Sequence, residues 1–471
     1  MEPDTTDERS IDVHLTFYGD DLTGSTDVME SLALNGMQTV LFFEPPTEED
    51  LEAFENVDAI GVAGTSRSMT PAEMDEALPP VFEQLRQFDS ELFHYKVCST
   101  FDSAPDVGSI GHAIDLGTNV FASSTVPIVV AAPDLHPRGR YVAFGNLFAT
   151  VDGETYRLDR HPTMKDHPVT PMEEADLREH LAEQTAKDIG LVDLLDIEGA
   201  ESGSPRDAFT TIRDDADVVF FDTVAEEHQS TVGELVWEYC VSRPETVFTV
   251  GSSGLEYAIT DYLQATGDLA ETRSTETLPQ EIPTVIVSGS ASPVTAEQID
   301  WALEHGFDGH RLDSTRLIDD AVAGDERQAA VQAAIESIDA GRSVILYSAR
   351  GPNDERIAET EKRAAELQLD ETAIGSRLGR EQGAILREVL ERTTVDRVCV
   401  AGGDTSGYAA PALDVYALEL LTPLAPGGPL CRASSEDDRF DGLEIALKGG
   451  QVGQADYFGL VRDGGELAGA E

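Results

Sequence analysis

Two adjacent aspartates, Asp20 and Asp21, stand where an apolar segment gives way to a helical pattern. The run Tyr18-Gly-Asp-Asp-Leu-Thr-Gly-Ser25 ends the predicted strand Val13–Tyr18 and precedes a helix predicted from about Thr26 to Asn35. Ligands of open α/β sheets bind outside the carboxyl ends of the strands. An aspartate at such a point could orient a substrate hydroxyl or take its proton, so both are candidate catalytic residues. The spacing is equally compatible with a helix N-cap.

A second polar cluster, Lys96-Val-Cys-Ser-Thr-Phe-Asp-Ser103, follows the predicted strand Phe93–Val97. A lysine supplies positive charge and hydroxyls supply adaptable hydrogen bonds, which suits an anionic, polyhydroxylated ligand. The candidate substrate-binding residues here are Lys96, Ser99, Thr100 and Asp102. The same pattern is compatible with a solvated turn whose lysine stem lies along the surface. No helix start or nearby cation marks Cys98 as a reactive thiolate, so we expect a packed cysteine.

The segment from Arg160 to Met172 contains two His-Pro pairs and Lys165. The prolines predict a stiff loop, and its basic residues are unusual in an acidic chain. One interpretation is that the loop binds a substrate carboxylate, with His167 as a candidate residue. The other interpretation is a rigid surface loop without a ligand. The histidine spacing matches no known zinc motif, so metal ligation is not expected here.

Glycine- and serine-rich loops recur directly after predicted strands. They are Gly251-Ser-Ser-Gly254, Ser288-Gly-Ser-Ala-Ser292, Gly402-Gly-Asp-Thr-Ser-Gly407, Pro426-Gly-Gly-Pro429 and Lys448-Gly-Gly-Gln-Val-Gly453. The first suits close approach of an anion to the backbone. The other four lie in the C-terminal half, and each alone is compatible with an ordinary turn. Together they favour a nucleotide site, because backbone donors and hydroxyls bind phosphates. The chain has no P-loop motif, and no dinucleotide fingerprint opens its first unit.

Short apolar segments that alternate with longer helical patterns indicate an α/β fold. The polar stretch 265–280 is the best candidate for a linker, and a new strand is predicted at Thr284–Ser288. The sequence therefore predicts two α/β domains, residues 1–270 and residues 281–471, with a cleft between them.

The charge balance excludes several classes of partner. The chain of 471 residues has 90 acidic and 32 basic side chains, a formal net charge of −58. A nucleic acid or an anionic membrane surface would be repelled by such a protein. Strong self-repulsion becomes tolerable when salt shortens the Debye length to ~3 Å near 1 M, so the composition favours a halophilic protein over an acidic mesophilic one.

The cysteine spacing, the lengths of the apolar runs and the first ten residues indicate an intracellular protein. The four cysteines form no CxxC pair and no metal-ligand spacing, which disfavours disulfides and structural zinc. No apolar run is long enough for a membrane span, and the first ten residues do not read as a signal peptide. We expect a cytoplasmic location.

In combination, seven motifs resemble those of the four-carbon acid sugar kinase family, and they occur in the family's order. They are Gly-Asp-Asp-Leu-Thr-Gly-Ser (19–25), Thr-Ser-Arg-Ser (65–68), Tyr-Lys-Val-Cys-Ser-Thr-Phe-Asp-Ser (95–103), His-Pro-Val-Thr-Pro-Met (167–172), Ser-Gly-Ser-Ala-Ser-Pro-Val-Thr (288–295), Gly-Gly-Asp-Thr-Ser-Gly (402–407) and Leu-Lys-Gly-Gly-Gln-Val-Gly (447–453). Where the family often has Ser-Gly-Ser-Cys-Ser, this chain has Ala291. Such changes affect the expected substrate more than the expected reaction.

The resemblance implies an N-terminal substrate domain, a C-terminal nucleotide domain, and ATP with Mg2+ as cofactors. The implied reaction is phosphorylation of the 4-hydroxyl of a 3-oxo-tetronate, with D-threonate or D-erythronate as the alternative acceptor. A non-catalytic sugar-acid sensor with the same fold is a further alternative. A homodimer is one compatible assembly, and the metal ligands stay open.

The resemblance also implies site residues. Those facing the sugar acid are Asp20, Asp21, Arg67, Lys96, Ser99, Thr100, Asp102 and His167. Those contacting ATP are Ser288, Ser290, Gly402, Gly403, Asp404, Thr405, Gly427, Lys448 and Gly450. The sequence does not decide between Asp20 and Asp21 as the general base.

Overall fold

The computed structural model describes residues 13–133, 139–151, 153–167, 169–199, 203–269 and 277–465. They form two compact units. The first contains residues 13–25 and 31–269, and the second contains residues 26–30 and 277–465. Both units mix helices with predominantly parallel strands, which confirms the predicted α/β class. Residues 270–276 of the predicted linker lie outside the described part of the chain.

The strands and helices of the first unit alternate through most of its length. The strands are β1 (Leu15–Gly19), β2 (Thr39–Phe42), β3 (Ala59–Ala63), β4 (Leu92–Lys96), β5 (Val126–Val129), β6 (Arg140–Ala143), β7 (Asn146–Val151), β8 (Glu154–Arg157), β9 (Ile189–Val192), β10 (Val218–Phe221) and β11 (Val247–Gly251). The helices are α1 (Leu22–Leu34), α2 (Glu48–Leu51), α3 (Pro71–Leu85), α4 (Ile110–Phe121), α5 (Leu177–Ala182), α6 (Leu194–Ile197), α7 (Pro205–Arg213), α8 (Glu226–Val241) and α9 (Gly254–Thr266).

A parallel sheet with strand order β2-β3-β1-β4-β11-β5-β10-β9 forms the centre of this unit. Its inner strands β1, β4 and β11 are fully buried and mostly apolar, as expected for a sheet covered on both faces. Phe82 of α3 packs against Phe93 and Phe248, with ring centroids 5.0 and 5.8 Å away. This packing fixes the sheet edge from which the polar loops emerge.

The second unit has the same alternation and ends in an antiparallel extension. Its strands are β12 (Val285–Ser288), β13 (Asp308–Arg311), β14 (Val344–Tyr347), β15 (Arg397–Ala401), β16 (Val415–Thr422), β17 (Leu430–Ser435) and β18 (Glu444–Lys448). Its helices are α10 (Pro293–Glu304), α11 (Ser314–Leu317), α12 (Ala323–Asp339), α13 (Glu355–Leu367), α14 (Glu371–Glu391), α15 (Gly403–Ala412) and α16 (Tyr457–Asp463). The strand order is β13-β14-β12-β15-β18-β17-β16. The first five strands are parallel, and β16 and β17 are antiparallel to their neighbours.

Two local features differ from the sequence prediction. The helix predicted from Thr26 begins at Leu22, because Asp21 accepts a hydrogen bond from Gly24 N and caps it. A three-stranded antiparallel sheet, β6-β7-β8, was not predicted. Its first hairpin turns at Phe144 and Gly145, which both have positive φ angles of 50° and 79°. In the described part of the chain, no helix is long and apolar enough to cross a membrane.

Candidate active site

The carboxyl ends of three neighbouring strands bring the acid-binding candidates together. Gly19, the last residue of β1, pairs with Ala63 at the end of β3 and with Lys96 at the end of β4. The segments that follow these strands therefore start at the same level of the sheet. Asp20 and the turn Ser66–Ser68 lie next to one another, since Arg67 N donates to Asp20 O (3.1 Å).

Arg67 holds both aspartates through its guanidinium group. Its Nε and one terminal nitrogen donate to the two oxygens of Asp20, at 3.1 and 2.7 Å. The other terminal nitrogen donates to Asp21 Oδ2 at 2.6 Å. A bidentate arginine–carboxylate pair fixes orientation as well as charge. The family resemblance implies that Arg67 faces the sugar acid, and the structure adds that its guanidinium binds the two aspartates.

The environments of the two aspartates differ. Asp21 Oδ1 accepts from Gly24 N at 2.7 Å, so this carboxylate serves as the N-cap of α1. Asp20 is buried, with 5% of the residue exposed, and is not the N-cap of α1. Burial raises the pKa of Asp20 to about 6, although the charges of Arg67 and Lys96 oppose the rise. Asp20 is thus the carboxylate whose protonation changes close to neutral pH.

Lys96 is buried beside the aspartates at the end of β4, with 2% exposed. Its Nζ lies near Gly24, where an added Cβ would be 3.2 Å from Nζ and 2.6 Å from Asp21 Oδ1. A side chain at position 24 would therefore displace the Asp21 carboxylate, and glycine leaves room for both the lysine and the N-cap. Two positive groups and two carboxylates form a balanced cluster, so this buried set carries no large net charge.

The turn after Lys96 forms a connected hydrogen-bond network. Thr100 Oγ1 donates to Asp102 Oδ1, and Cys98 Sγ lies 2.9 Å from the same hydroxyl. Thr170 Oγ1 donates to Asp102 Oδ2 at 3.2 Å. Burial alone would raise the pKa of Asp102, but the charge of Arg67 and the Thr100 hydrogen bond hold it below its ordinary value. Asp102 thus stays ionised within this network.

His167 joins the same network through Thr170. Its Nδ1 accepts from Thr170 N at 3.1 Å, and Thr170 Oγ1 lies 3.0 Å from Nδ1. His167 is half-buried, whereas Lys165 on the same loop is exposed. The structure thus brings His167 to the 98–103 turn, while Ser99 stands half-buried on that turn and takes no part in the network among the described residues.

Three residues that contact the 98–103 turn were not among the predicted site residues: Thr170, His180 and Gln184. Ser103 Oγ lies 3.0 Å from His180 Nε2 and accepts from Gln184 Nε2 at 2.9 Å. Thr170 belongs to the quoted His-Pro-Val-Thr-Pro motif, so the sequence carried a signal for it. His180 and Gln184 lie on or just after α5, at positions that no motif marks.

Burial disfavours the thiolate form of Cys98, the cysteine of the 98–103 turn. It raises the pKa of the Cys98 thiol above its ordinary value, with the charge of Asp102 acting in the same direction. A thiol with a raised pKa is a weak nucleophile, as expected for a packed cysteine.

The glycines of the 251–254 turn are required by packing, since a Cβ at Gly254 would lie 1.9 Å from Ala131 O. Anion binding at that turn stays a prediction.

In the second unit, the register again aligns three strand ends. Ser288 pairs with Ala401, and Ala401 pairs with Lys448. The loops that follow β12, β15 and β18 therefore start side by side. Gly289 N donates to Ala401 O at 3.0 Å, and Gly402 N donates to Lys448 O at 2.9 Å.

Two glycines of these loops, Gly289 and Gly450, lie in close contact with neighbouring side chains. A Cβ at Gly289 would be 2.0 Å from Thr405 Oγ1, and one at Gly450 would be 2.7 Å from Ser290 Oγ. Gly402 has a φ of 126°, which residues with a Cβ rarely adopt. Four predicted nucleotide-site residues, Ser290, Gly402, Thr405 and Gly450, thus lie in one compact group.

The start of α15 offers a site for phosphate. Gly403 is exposed, and a Cβ there would meet nothing within 4 Å. Among the described side chains none caps this helix. Backbone N–H groups at a helix N-terminus bind anions. Asp404 lies in the first turn of this helix, and its side chain falls outside the description.

Lys448 is buried below the loops, with 1% exposed, and its Nζ donates to Thr295 Oγ1 at 3.3 Å. Burial lowers the pKa of Lys448 to about 8. Its ammonium also lies over the ring of Tyr457, 5.6 Å from the centroid. A lysine in this position can offset the charge of a bound phosphate.

The remaining predicted residues flank this group. Gly427, with a φ of 74°, lies in a turn closed by the hydrogen bond from Gly428 N to Ala425 O. Gly428 packs against Val452, since a Cβ there would lie 2.7 Å from Val452 Cγ1. The 426–429 and 449–453 loops therefore touch. Ser288 is fully buried, and its Oγ has no hydrogen-bond partner among the described residues.

The fit to a nucleotide rests on these loops. Backbone donors, an open helix start and a buried lysine form the donor set that polyphosphates require. Among the described residues, no group of three or more His, Cys, Asp or Glu side chains could hold a metal ion. A Mg2+ ion with few protein ligands, held mainly by phosphates and water, is compatible with this arrangement.

Comparison with known proteins assigns both units. Residues 15–259 match the family model described as a sugar-binding N-terminal domain, and residues 285–458 match the model of a nucleotide-binding C-terminal domain. The chain belongs to the four-carbon acid sugar kinase family, whose members are enzymes that phosphorylate sugar acids. The resemblance seen in the motifs is thereby confirmed.

Three curated relatives extend over nearly the whole chain. A 3-oxo-isoapionate kinase of Paraburkholderia graminis is 46% identical, with 97% of this chain and 95% of the relative covered. A 3-oxo-tetronate kinase of Methylobacterium radiotolerans is 30% identical, covering 94% and 97%. A 3-oxo-tetronate kinase of Cupriavidus necator is 29% identical, covering 93% and 94%.

Two solved structures share the fold. A Haemophilus influenzae protein matches with a TM-score of 0.70 at 24% identity, covering 95% of this chain and 98% of that one. A Salmonella typhimurium protein matches with a TM-score of 0.75 at 23% identity, covering 94% and 98%. At this level of identity, the likeness concerns the fold.

Proposed function

We propose that this chain is an ATP-dependent kinase that phosphorylates a hydroxyl of a 3-oxo sugar acid, with 3-oxo-isoapionate as its substrate. The relative that supports this choice is 46% identical over 97% of the chain, against 30% or 29% for the two 3-oxo-tetronate kinases compared above. The 3-oxo-tetronate predicted from the motifs is the second candidate, supported by the Cys-Ser-Thr-Phe-Asp-Ser turn. The same relatives disfavour the D-threonate, D-erythronate and sensor alternatives.

Asp20 is the general base in this proposal. Its carboxylate takes the proton of the substrate hydroxyl while the hydroxyl oxygen forms its bond to the γ-phosphorus of ATP; the bond from that phosphorus to the bridging oxygen breaks, and ADP leaves. Each carboxylate oxygen has two acceptor sites, so Asp20 can receive the substrate while Arg67 stays bound. Asp21 is occupied as the N-cap of α1, which leaves it a positioning role.

The basic residues orient the acid and balance its charge. Arg67 uses three of its five N–H groups on the aspartates and keeps two for a ligand, counted among the described residues. Lys96 adds a second positive charge at the same strand end. The hydroxyls of Thr100 and Thr170, with the imidazole of His167, are suited to the hydroxyl and oxo groups of the substrate.

ATP, as its Mg2+ complex, supplies the phosphoryl group. The residues that would hold it are the loops after β12, β15 and β18, with Lys448 beneath them. Their tight packing keeps the backbone donors in place before the nucleotide arrives, and preorganised donors are the main source of catalysis in phosphoryl transfer. A cytoplasmic location fits the use of ATP.

A panel of acceptors tests the proposed substrate. We expect kcat/KM for 3-oxo-isoapionate to exceed that for 3-oxo-tetronate by at least about tenfold, since one well-made polar contact can discriminate by that factor. ADP release is measured with Mg-ATP in molar KCl, with D-threonate and D-erythronate as further acceptors. A larger kcat/KM for 3-oxo-tetronate would restore that acid as the substrate.

The acidic composition leads us to propose a halophilic enzyme. With a net charge of −58, repulsion between surface carboxylates should fall as salt shortens the Debye length. We expect the melting temperature to rise by several degrees between 0.1 and 2 M KCl, by thermal unfolding at fixed pH. An osmolality-matched sucrose series is the control for non-ionic effects. A melting temperature that is flat or falling in KCl would contradict this.

A further inference from the structure

The loops after β12 and β15 are joined by a buried glutamine that no motif marks. Gln382 lies in the second half of α14, twenty residues before Gly402, and only 1% of it is exposed. Its Nε2 donates to Ser288 O at 3.1 Å, and its Oε1 accepts from Thr405 Oγ1 at 3.4 Å. One side-chain amide thus bridges the end of β12 and the first turn of α15.

The surrounding packing allows little freedom to this bridge. A Cβ at Gly289 would lie 2.7 Å from Gln382 Oε1 and 2.0 Å from Thr405 Oγ1, so the three groups are in close contact. A Cβ at Gly379 would lie 2.1 Å from a ring carbon of Tyr408, and one at Gly383 would lie 3.1 Å from Tyr408 O. These two glycines of α14 let α15 approach closely on the face that carries Gln382.

We propose that Gln382 is a positioning residue of the nucleotide site, which sets the β12 loop against the start of α15 so that their backbone donors converge on the phosphates. This inference rests on the proposed use of ATP. Ser288 O also accepts from Ser348 N at 3.0 Å, so strand pairing does not depend on the glutamine. Loss of the amide should therefore affect the nucleotide more than the fold.

The test replaces Gln382 by methionine, which keeps the shape of the side chain and removes both hydrogen bonds. We expect the Kd for Mg-ATP, measured by calorimetry without the acid, and the KM for ATP to rise by at least about tenfold. The KM for the sugar acid should stay within about twofold of the wild type. A merely structural role would lower the melting temperature without separating the two KM values.

The matched control is Gln229→Met. Gln229 is a buried glutamine of α8 in the first unit, 1% exposed, whose Nε2 donates to Asp261 at 3.2 Å. This variant should leave the Kd for Mg-ATP unchanged. A second variant, Gln382→Glu, keeps an acceptor for Thr405 and loses the donor to Ser288, and it should also weaken ATP binding.

The outcomes separate this inference from the proposed function. If the wild-type protein binds no Mg-ATP, the proposed function fails and the inference falls with it. If the wild type binds Mg-ATP and either folded Gln382 variant binds it equally well, only the positioning role is overturned. Weaker ATP binding in the Gln382 variants, with normal binding in Gln229→Met, supports it.

Discussion

Replacing Asp20 by asparagine is expected to lower kcat by about a hundredfold to ten-thousandfold, because a general base contributes roughly 10²–10⁴ to the rate. The amide keeps the size of the side chain but cannot take the hydroxyl proton. In the wild type, Asp20 is ionised above its pKa of about 6 and protonated below it. We therefore expect kcat/KM to fall about tenfold per pH unit below pH ~6, and this acid limb should vanish in Asp20→Asn. Steady-state ADP release between pH 5 and pH 8 measures both effects.

Asp21→Asn is the matched control for this prediction. Asparagine caps helices about as well as aspartate, so α1 should keep its N-terminus and the melting temperature should change little. The loss of the ion pair with Arg67 should lower activity by about tenfold at most, since Asp20 keeps two hydrogen bonds to that guanidinium. A larger loss in Asp21→Asn than in Asp20→Asn would make Asp21 the base.

The second large effect is expected for Gly289→Ala. The added methyl group would lie 2.0 Å from Thr405 Oγ1 and 2.7 Å from Gln382 Oε1, distances that real Cβ atoms do not show, so either these side chains or the β12 loop must shift. We expect the KM for ATP to rise by at least about tenfold. The free energy of unfolding should fall by about 1–3 kcal/mol, which is typical of overpacking. Steady-state kinetics and denaturant unfolding measure the two quantities.

The control for this variant is Gly375→Ala on α14. An alanine Cβ there would meet nothing within 4 Å. Because alanine is the better helix former, the free energy of unfolding should rise by about 0.5–1 kcal/mol, and the KM for ATP should stay unchanged. If Gly289→Ala also retained the wild-type KM for ATP, the close contact between the loops would not matter for nucleotide binding.

Much of the candidate site could be predicted because it follows strand ends in sequence. Asp20, Lys96, Ser288 and Gly402 each stand directly after an apolar segment or at its end, and the parallel register places such ends together. The partners of these residues could not be predicted in the same way. Arg67 was expected to face the sugar acid, but its bonds to two aspartates 46 and 47 positions away in the sequence were not predicted. Such long-range pairs follow from the fold and leave no local pattern.

Gln382 shows the limit of motif reasoning most clearly. It lies within a helix whose other residues follow an ordinary amphipathic pattern, and a single buried glutamine does not disturb that pattern. Only the packing of α14 on α15 reveals its two partners. His180 and Gln184 were also not predicted, because no motif in the sequence marks either position.

The fold was predicted best where strands are buried, mostly apolar and central in the sheet. β4 and β12 lie within one residue of the predicted bounds Phe93–Val97 and Thr284–Ser288, and all of their residues are buried. The β6-β7-β8 sheet was missed because its strands mix polar with apolar residues and are only partly buried, so they form no apolar run in the sequence. Gly145 after Phe144 was an available signal, since two-residue hairpin turns favour glycine where φ is positive.

The most direct test of the proposed function is to quantify ADP and phosphorylated acid in the same reaction. Wild-type protein is incubated with Mg-ATP and 3-oxo-isoapionate in molar KCl, and the products are measured by 31P NMR. We predict that one phosphomonoester of the acid forms for each ADP, and that no ADP forms without the acid. ADP release that does not depend on the acid, or the absence of a phosphorylated product from every acid of the panel in protein that binds ATP, would contradict the proposal that this chain is a 3-oxo sugar acid kinase.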